Sequence, residues 1–238
     1  MIVVNNISKT YHTGAIDFLA LEDVSLHVKE GEYTSIMGPS GSGKSTFMNI
    51  IGCLDSLDAG NYLLRGVDVS SLKPNELAHV RNKEIGFVFQ SFNLLPALTI
   101  LENVELPMAY AGFSVKDRRV KAMEALEKVG LTNWIKHRPN EVSGGQKQRV
   151  SIARAIVNSP SIILADEPTG NLDSKSSEDI IKIFQDLNNE GATILIVTHE
   201  SEVAKFSKRI VRFFDGKIVS DGSVHDRIEI ANEGGIGE

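Results

Sequence analysis

The stretch Gly38-Pro39-Ser40-Gly41-Ser42-Gly43-Lys44-Ser45 satisfies the pattern G-x-x-x-x-G-K-[ST]. Residues without a Cβ let the main chain curl until its N–H groups converge on an anion, and a helix opening just after the loop adds the positive end of its dipole. A lysine at this point reaches the β and γ phosphates of a nucleoside triphosphate, and the Ser45 hydroxyl suits a Mg²⁺ ion. A plain Gly/Ser turn would not explain why Lys-Ser opens an apolar helix. The second group is Asp166-Glu167, which closes the apolar run Ile162-Ile163-Leu164-Ala165. At a strand end beside a phosphate loop, Asp166 can help hold the metal. Glu167, turned the other way by strand alternation or by a turn, can orient and deprotonate a water. Alone, such a strand end is a solvated turn; with the glycine loop upstream it reads as chemistry.

These residues need elements to hold them. Short β segments are expected at 2–4, at 21–28 with alternating Val24, Leu26 and Val28, and at 33–37, with Gly31 turning between the last two. The loop follows, then a helix over 46–52, giving strand, loop, helix. Residues 90–141 read differently. Ser114 with Asp117 three residues on resembles a capping box, and Ala122, Leu126 and Val129 have helical spacing before Gly130. This is a helical insertion. A second helix follows Ser143, with Val150, Ala153 and Val157 on one face and Pro160 beyond its end. Strands over 161–165, 192–197 and 209–214 then alternate with a helix over 174–189, which implies a parallel sheet covered on both faces.

The chain has 238 residues, 42% hydrophobic and 24% charged, enough for one large mixed domain with a real core. Apolar runs are strand-length, well short of the roughly 20 residues of a spanning helix. The N-terminus lacks the basic and apolar regions of a secretory signal. Cys53 is the single cysteine, so no internal disulfide forms, and a cytoplasmic location is expected. A net charge of −6 gives no footprint for general nucleic-acid binding. Residues 226–238 are expected to be a frayed tail.

Val142-Ser143-Gly144-Gly145-Gln146 resembles the LSGGQ signature of ABC ATPases, with Val where Leu is usual. Physically, Ser143 caps a helix whose N-terminus and glycine amides can bind a γ-phosphate. With the phosphate loop as Walker A and the 162–167 run as Walker B, the order across nearly the whole chain is that of an ABC transporter ATP-binding subunit. The resemblance implies an α/β P-loop NTPase core (1–89 and 160–225) with an antiparallel β subdomain, and an inserted helical subdomain at 90–159. It implies that ATP and Mg²⁺ are bound, with residues 38–46, including Pro39, Ser40 and Thr46, on the nucleotide. Tyr11 matches the aromatic that stacks on adenine, Gln90 the Q-loop residue at Mg²⁺ and water, Asp173 the D-loop and His199 the H-loop. Ser45, Gln90 and Asp166 fall at the metal, and Glu167, His199 and Gln90 at the catalytic positions. Ser143 to Gln146 would reach the ATP of a second subunit.

The segments 36–45, 49–55, 89–96 and 101–107 are similar to the branch that includes MacB macrolide exporters and LolD lipoprotein-release ATPases. That resemblance implies an ATP-dependent homodimer on the inner face of the membrane, working an integral membrane permease with a large extracytoplasmic domain. A periplasmic adaptor is a further partner it allows. The permease is expected to dock near Phe92, Leu94, Leu95 and Leu98. Soluble ABC-type ATPases that act on DNA carry a long coiled coil, for which the roughly fifty residues between Gln90 and Ser143 leave no room. A cell-division signalling complex of the same architecture differs in partner rather than chemistry and stays open at this point.

Overall fold

The computed structural model describes residues 1–14 and 16–230. Its centre is a six-stranded sheet ordered β10-β9-β3-β8-β7-β6, made from β3 (Tyr33–Met37), β6 (Ile85–Val88), β7 (Ile162–Asp166), β8 (Thr193–Val197), β9 (Arg209–Phe214) and β10 (Lys217–Ser223). Five strands run parallel, as the alternating pattern implies, while β10 turns back antiparallel on β9. The edge hairpin escaped the sequence reading because β10 has no buried residue to give it an apolar period.

Strand alternation divides the core. Ile162, Leu164, Leu195 and Val197 face one layer with α1 (Lys44–Ile51), whereas Ile163, Ala165, Ile194 and Ile196 face the layer formed by the helical insertion and α6 (Ser174–Asn189). The first layer is closed by the expected antiparallel subdomain, β2-β1-β4-β5, built from β1 (Ile2–Thr13), β2 (Ile16–Val28), β4 (Ala59–Leu64) and β5 (Val67–Asp68). The helix α2 (Pro74–Glu84) then leads into β6. It has no fully buried residue; only Leu77 and Val80, one turn apart, pack against the core, too short a stripe to mark the helix in the sequence.

In the insertion, α3 (Ile100–Tyr110), α4 (Val115–Lys128) and α5 (Gly144–Ile156) pack on one another. Their starts are set by side-chain caps. Thr99 with Glu102 and Ser143 with Gln146 make complete capping boxes. At Ser114 only half a box forms. Its Oγ accepts from the Asp117 N–H at 3.2 Å, but the Asp117 carboxylate meets the Ser114 hydroxyl at 2.6 Å instead of the backbone, because Asp is one methylene shorter than Glu. A short helix, α7 (Ser201–Ala204), follows β8.

Fully buried Asn103 organises the loop before α3. Its Oδ1 accepts from the Leu95 N–H at 2.8 Å, and its Nδ2 donates to the carbonyls of Leu95, Leu98 and Thr99 at 3.1, 3.3 and 2.9 Å. Asn103→Leu keeps the branched outline but strands these backbone groups, so thermal or urea unfolding should show a loss of about 1–3 kcal/mol. An unchanged midpoint would mean the loop satisfies itself. After β10 the chain is held at least to Ile230. The Arg227 Nε donates to Phe206 O at 3.0 Å, the Ile228 N–H to Lys205 O at 3.0 Å, and the Ile230 N–H to Gln185 Oε1 at 3.0 Å. Fraying therefore does not begin at 226, and the rest of the expected tail, 231–238, lies outside the described residues.

Candidate active site

The phosphate loop joins β3 to α1. Gly43 has φ +98°, and a Cβ there would lie 2.6 Å from Ala20 O, so neither the conformation nor the space admits a side chain. A Cβ on Gly38 would strike Phe213 O on the neighbouring β9. Lys44 is almost buried, and its Nζ donates to the carbonyls of Gly38 and Pro39 at 2.9 and 2.8 Å. Burial lowers the pKa of this ammonium, while the nearby charges of Glu167 and Asp166 oppose the shift. The two carboxylates therefore lie near the Lys44 ammonium.

Asp166 ends β7, and burial first, then the Glu167 charge, pushes its carboxyl up against the opposing pull of Lys44. A bound divalent cation would reverse that balance. Glu167 leaves the strand with φ +44°, its N–H donating to Val197 O at 2.9 Å. The turn, not strand alternation, redirects its side chain. Oε1 of Glu167 then lies 2.9 Å from Nδ1 of His199, on the loop after β8. With Nδ1–H as the donor, the imidazole fixes the carboxylate and leaves Nε2 free for another group.

Gln90 follows β6. A Cβ on Gly170 would lie 2.8 Å from its Nε2, so the loop after Glu167 packs directly on the Gln90 amide, and the Asn171 Nδ2 donates to Gln90 O at 3.1 Å. Arg154 on α5 clamps the same segment, donating to Phe92 O at 2.8 Å and Asn93 O at 2.6 Å, where both backbones have positive φ. Tyr11, on β1, is half-buried beside Thr46 of α1, with its hydroxyl donating to Asp55 Oδ2 at 2.7 Å.

The signature residues lie elsewhere. Ser143 is exposed and caps α5, its Oγ accepting from the Gln146 N–H at 3.2 Å. Gly145 sits against Ser176 and Gly144 against Leu172. Asp173 caps α6, and bonds from the Ser176 backbone and hydroxyl hold its carboxyl below the usual range. Buried Gln148 donates to Pro168 O at 2.8 Å, tying α5 to the loop after Glu167. Among the described residues, no hydrogen bond joins 143–146 to the phosphate loop. Gln148, Arg154 and Asn103 were not singled out in the sequence, since single long-range side-chain bonds leave no periodic mark.

A glycine phosphate loop, a strand ended by two carboxylates and a histidine on the second carboxylate define a P-loop ATPase. The family model for ABC transporter matches residues 21–170. The chain is 59% identical over 223 residues to the uncharacterized ABC transporter ATP-binding protein YknY of Bacillus subtilis (strain 168), covering 94% of this chain and 97% of YknY. It is 48% identical over 235 residues to the macrolide export ATP-binding/permease protein MacB of Syntrophobacter fumaroxidans, covering 97% of this chain but 33% of MacB. A solved dimeric ATP-binding cassette, MJ0796 in a post-hydrolysis state bound to ADP and Pi, superposes with a TM-score of 0.88 at 46% identity, over 94% of this chain and 99% of that one. The chain belongs to the ABC transporter ATP-binding family, a family of ATP-hydrolysing cassettes. Among the described residues, no helix is long and apolar enough to cross a membrane.

Proposed function

We propose that the chain is the ATP-hydrolysing motor of a MacB-like export or release system, that it works as a homodimer at the cytoplasmic face of the membrane, and that it drives a permease. The observation that supports this most directly is the placement of the signature: a glycine-opened helix N-terminus, exposed at Ser143 and carried on the insertion rather than over its own phosphate loop. Two chains related by a two-fold axis would each close the other's site. The solved cassette MJ0796 is described as dimeric with ADP and Pi. MacB is named an ATP-binding/permease protein, and this chain matches a third of it.

In this reading Lys44 exchanges its bonds to Gly38 O and Pro39 O for β- and γ-phosphate oxygens. Glu167 takes the proton of the attacking water, with His199 fixing the carboxylate. Mg²⁺ suits the oxygen donors Ser45, Asp166 and Gln90. Among the described residues there is no cluster of three or more His, Cys, Asp or Glu to form a protein cage, and Mg²⁺ held largely by substrate phosphates needs none. When bound, the ion neutralises phosphate charge. The Tyr11 ring serves as the adenine platform, so Tyr11→Ala should weaken ATP binding by about 1–3 kcal/mol. An unchanged dissociation constant would place the platform elsewhere.

The four residues expected at the permease groove differ in exposure. Leu94 packs into the helical core, Phe92 and Leu98 are half-buried, and of those four residues only Leu95 is exposed. A cavity of about 640 Å³ lies instead between α2, β6 and α3, lined by Phe87, Phe89, Leu106, Tyr110, Leu54 and Arg154. Tyr110 is 79% exposed at its rim, an apolar surface fit for a partner's helix. Tyr110→Glu should remove stimulation of hydrolysis by the permease in reconstituted vesicles while basal hydrolysis stays within about twofold. Full stimulation in this variant would exclude the cavity as the coupling surface.

A further inference from the structure

The segment Asn49 to Asp55 closes α1, and nothing in the reaction described so far uses it. The helix ends at Gly52, where a Cβ would lie 2.8 Å from the Phe87 ring and 2.9 Å from Met48 O. Cys53 then takes a left-handed conformation, φ +54°, and the N–H groups of Leu54 and Asp55 both return to Asn49 O at 2.8 and 3.2 Å. This tight turn aims the Asp55 carboxylate back at β1. Its Oδ2 accepts the Tyr11 hydroxyl at 2.7 Å, and its Oδ1 accepts from the Ser56 N–H at 2.7 Å and from Lys9 Nζ at 3.1 Å.

Lys9 is nearly buried and is shared with Asp58 at 3.5 Å, whose Oδ2 in turn accepts the Thr10 N–H at 2.6 Å. The same ammonium lies 5.3 Å from the centroid of the Tyr11 ring. One side of the ring is thus occupied by a fixed cation. The hydroxyl end is pinned by Asp55, leaving the opposite face as the surface on which a flat base can stack. Lys44 of the phosphate loop opens α1, and Asp55 lies in the turn beyond its last residue. A single helix therefore holds the phosphate loop at one end and the tyrosine at the other.

We propose that Asp55 is a positioning residue for the base: through the Tyr11 hydroxyl it registers the adenine platform against α1, and so against the phosphate site, with Lys9 backing the ring. This rests on the reading of Tyr11 as the platform. It also gives the branch-specific segment a task that packing alone would not require, since an Asp held by two neutral donors and one lysine is an arrangement for orienting a phenol.

The test is a set of dissociation constants, measured on the full chain in EDTA to prevent turnover, for ATP and for inorganic tripolyphosphate, by competition against a fluorescent ATP analogue. Asp55→Ala and Tyr11→Phe should each weaken ATP about three- to tenfold and leave tripolyphosphate unchanged. Asp55→Ala should add nothing further in a Tyr11→Phe background. Tyr11→Phe removes only the hydroxyl, so it decides the matter even if Asp55→Ala folds poorly. Equal weakening of both ligands, or additive effects of the two substitutions, would show Asp55 to be a structural tether and overturn the proposal. If Tyr11→Ala weakens ATP while Tyr11→Phe and Asp55→Ala do not, the platform stands and its positioning by Asp55 falls. If Tyr11→Ala has no effect on ATP, the platform reading falls first and takes this proposal with it.

Discussion

Glu167→Gln is expected to slow ATP turnover by about 10²–10⁴-fold while leaving nucleotide affinity intact. Gln keeps the shape of Glu, so the turn at φ +44° and a contact with His199 Nδ1, 2.9 Å away in the native chain, can both persist. What disappears is the negative charge and the proton acceptor. Lys44 and Asp166 stay in place, so ATP still binds and, being hydrolysed slowly, holds two chains together. Phosphate release gives the rate, and gel filtration with ATP and Mg²⁺ gives the assembly. Native-like turnover would remove Glu167 from the role of base. A monomer that still binds ATP would remove the dimer.

The second large effect is a pair of independent lesions, Lys44→Ala and Gly144→Asp, each expected to cost about 10²-fold or more in hydrolysis. Without Lys44, the phosphates lose the ammonium that lies beside the carboxylates of Asp166 and Glu167. At Gly144 an added Cβ meets nothing closer than the Leu172 Cδ2 at 3.5 Å, so an aspartate fits the fold. Gly145 is a poorer choice, because its Cβ would lie 2.8 Å from the Ser176 Oγ and any loss could be misfolding. The damage at Gly144 is electrostatic: a carboxylate at the first turn of α5 favours the helix itself but repels a phosphate from its N-terminus. Gly144→Asp should therefore match the wild type in thermal stability and in ATP affinity as a monomer, and fail only in turnover.

Much of this architecture is legible in the residues themselves. The bounds of α6 and β9 follow from strong periods and from the Asp215-Gly216 turn, and the P-loop can be read because its chemistry requires small residues and one lysine at fixed local spacing. Elements with a weak inward face leave little such trace: α2 offers the core only Leu77 and Val80, and β10 only Ile218. The same holds for the contacts that orient the site. Tyr11 and Asp55 are 44 residues apart, and Arg154 and Phe92 are 62 apart, each pair joined by a single hydrogen bond. No spacing rule foretells such a bond. Exposure is equally hidden: Leu94 and Leu95 look alike in sequence, yet one packs against the core and the other meets solvent.

Whether each ATP is closed by the partner's signature helix is measured most directly by ATP hydrolysis in an equal mixture of Lys44→Ala and Gly144→Asp chains. A two-fold dimer exchanges the same surfaces in both directions. A heterodimer therefore pairs one site carrying both lesions with one site made of an intact phosphate loop and an intact signature. Sites shared between chains predict partial recovery of hydrolysis on mixing. If activity stays at the level of the separate variants, in a mixture shown by differential tagging to contain heterodimers, each chain completes its own site and the shared-site account is contradicted.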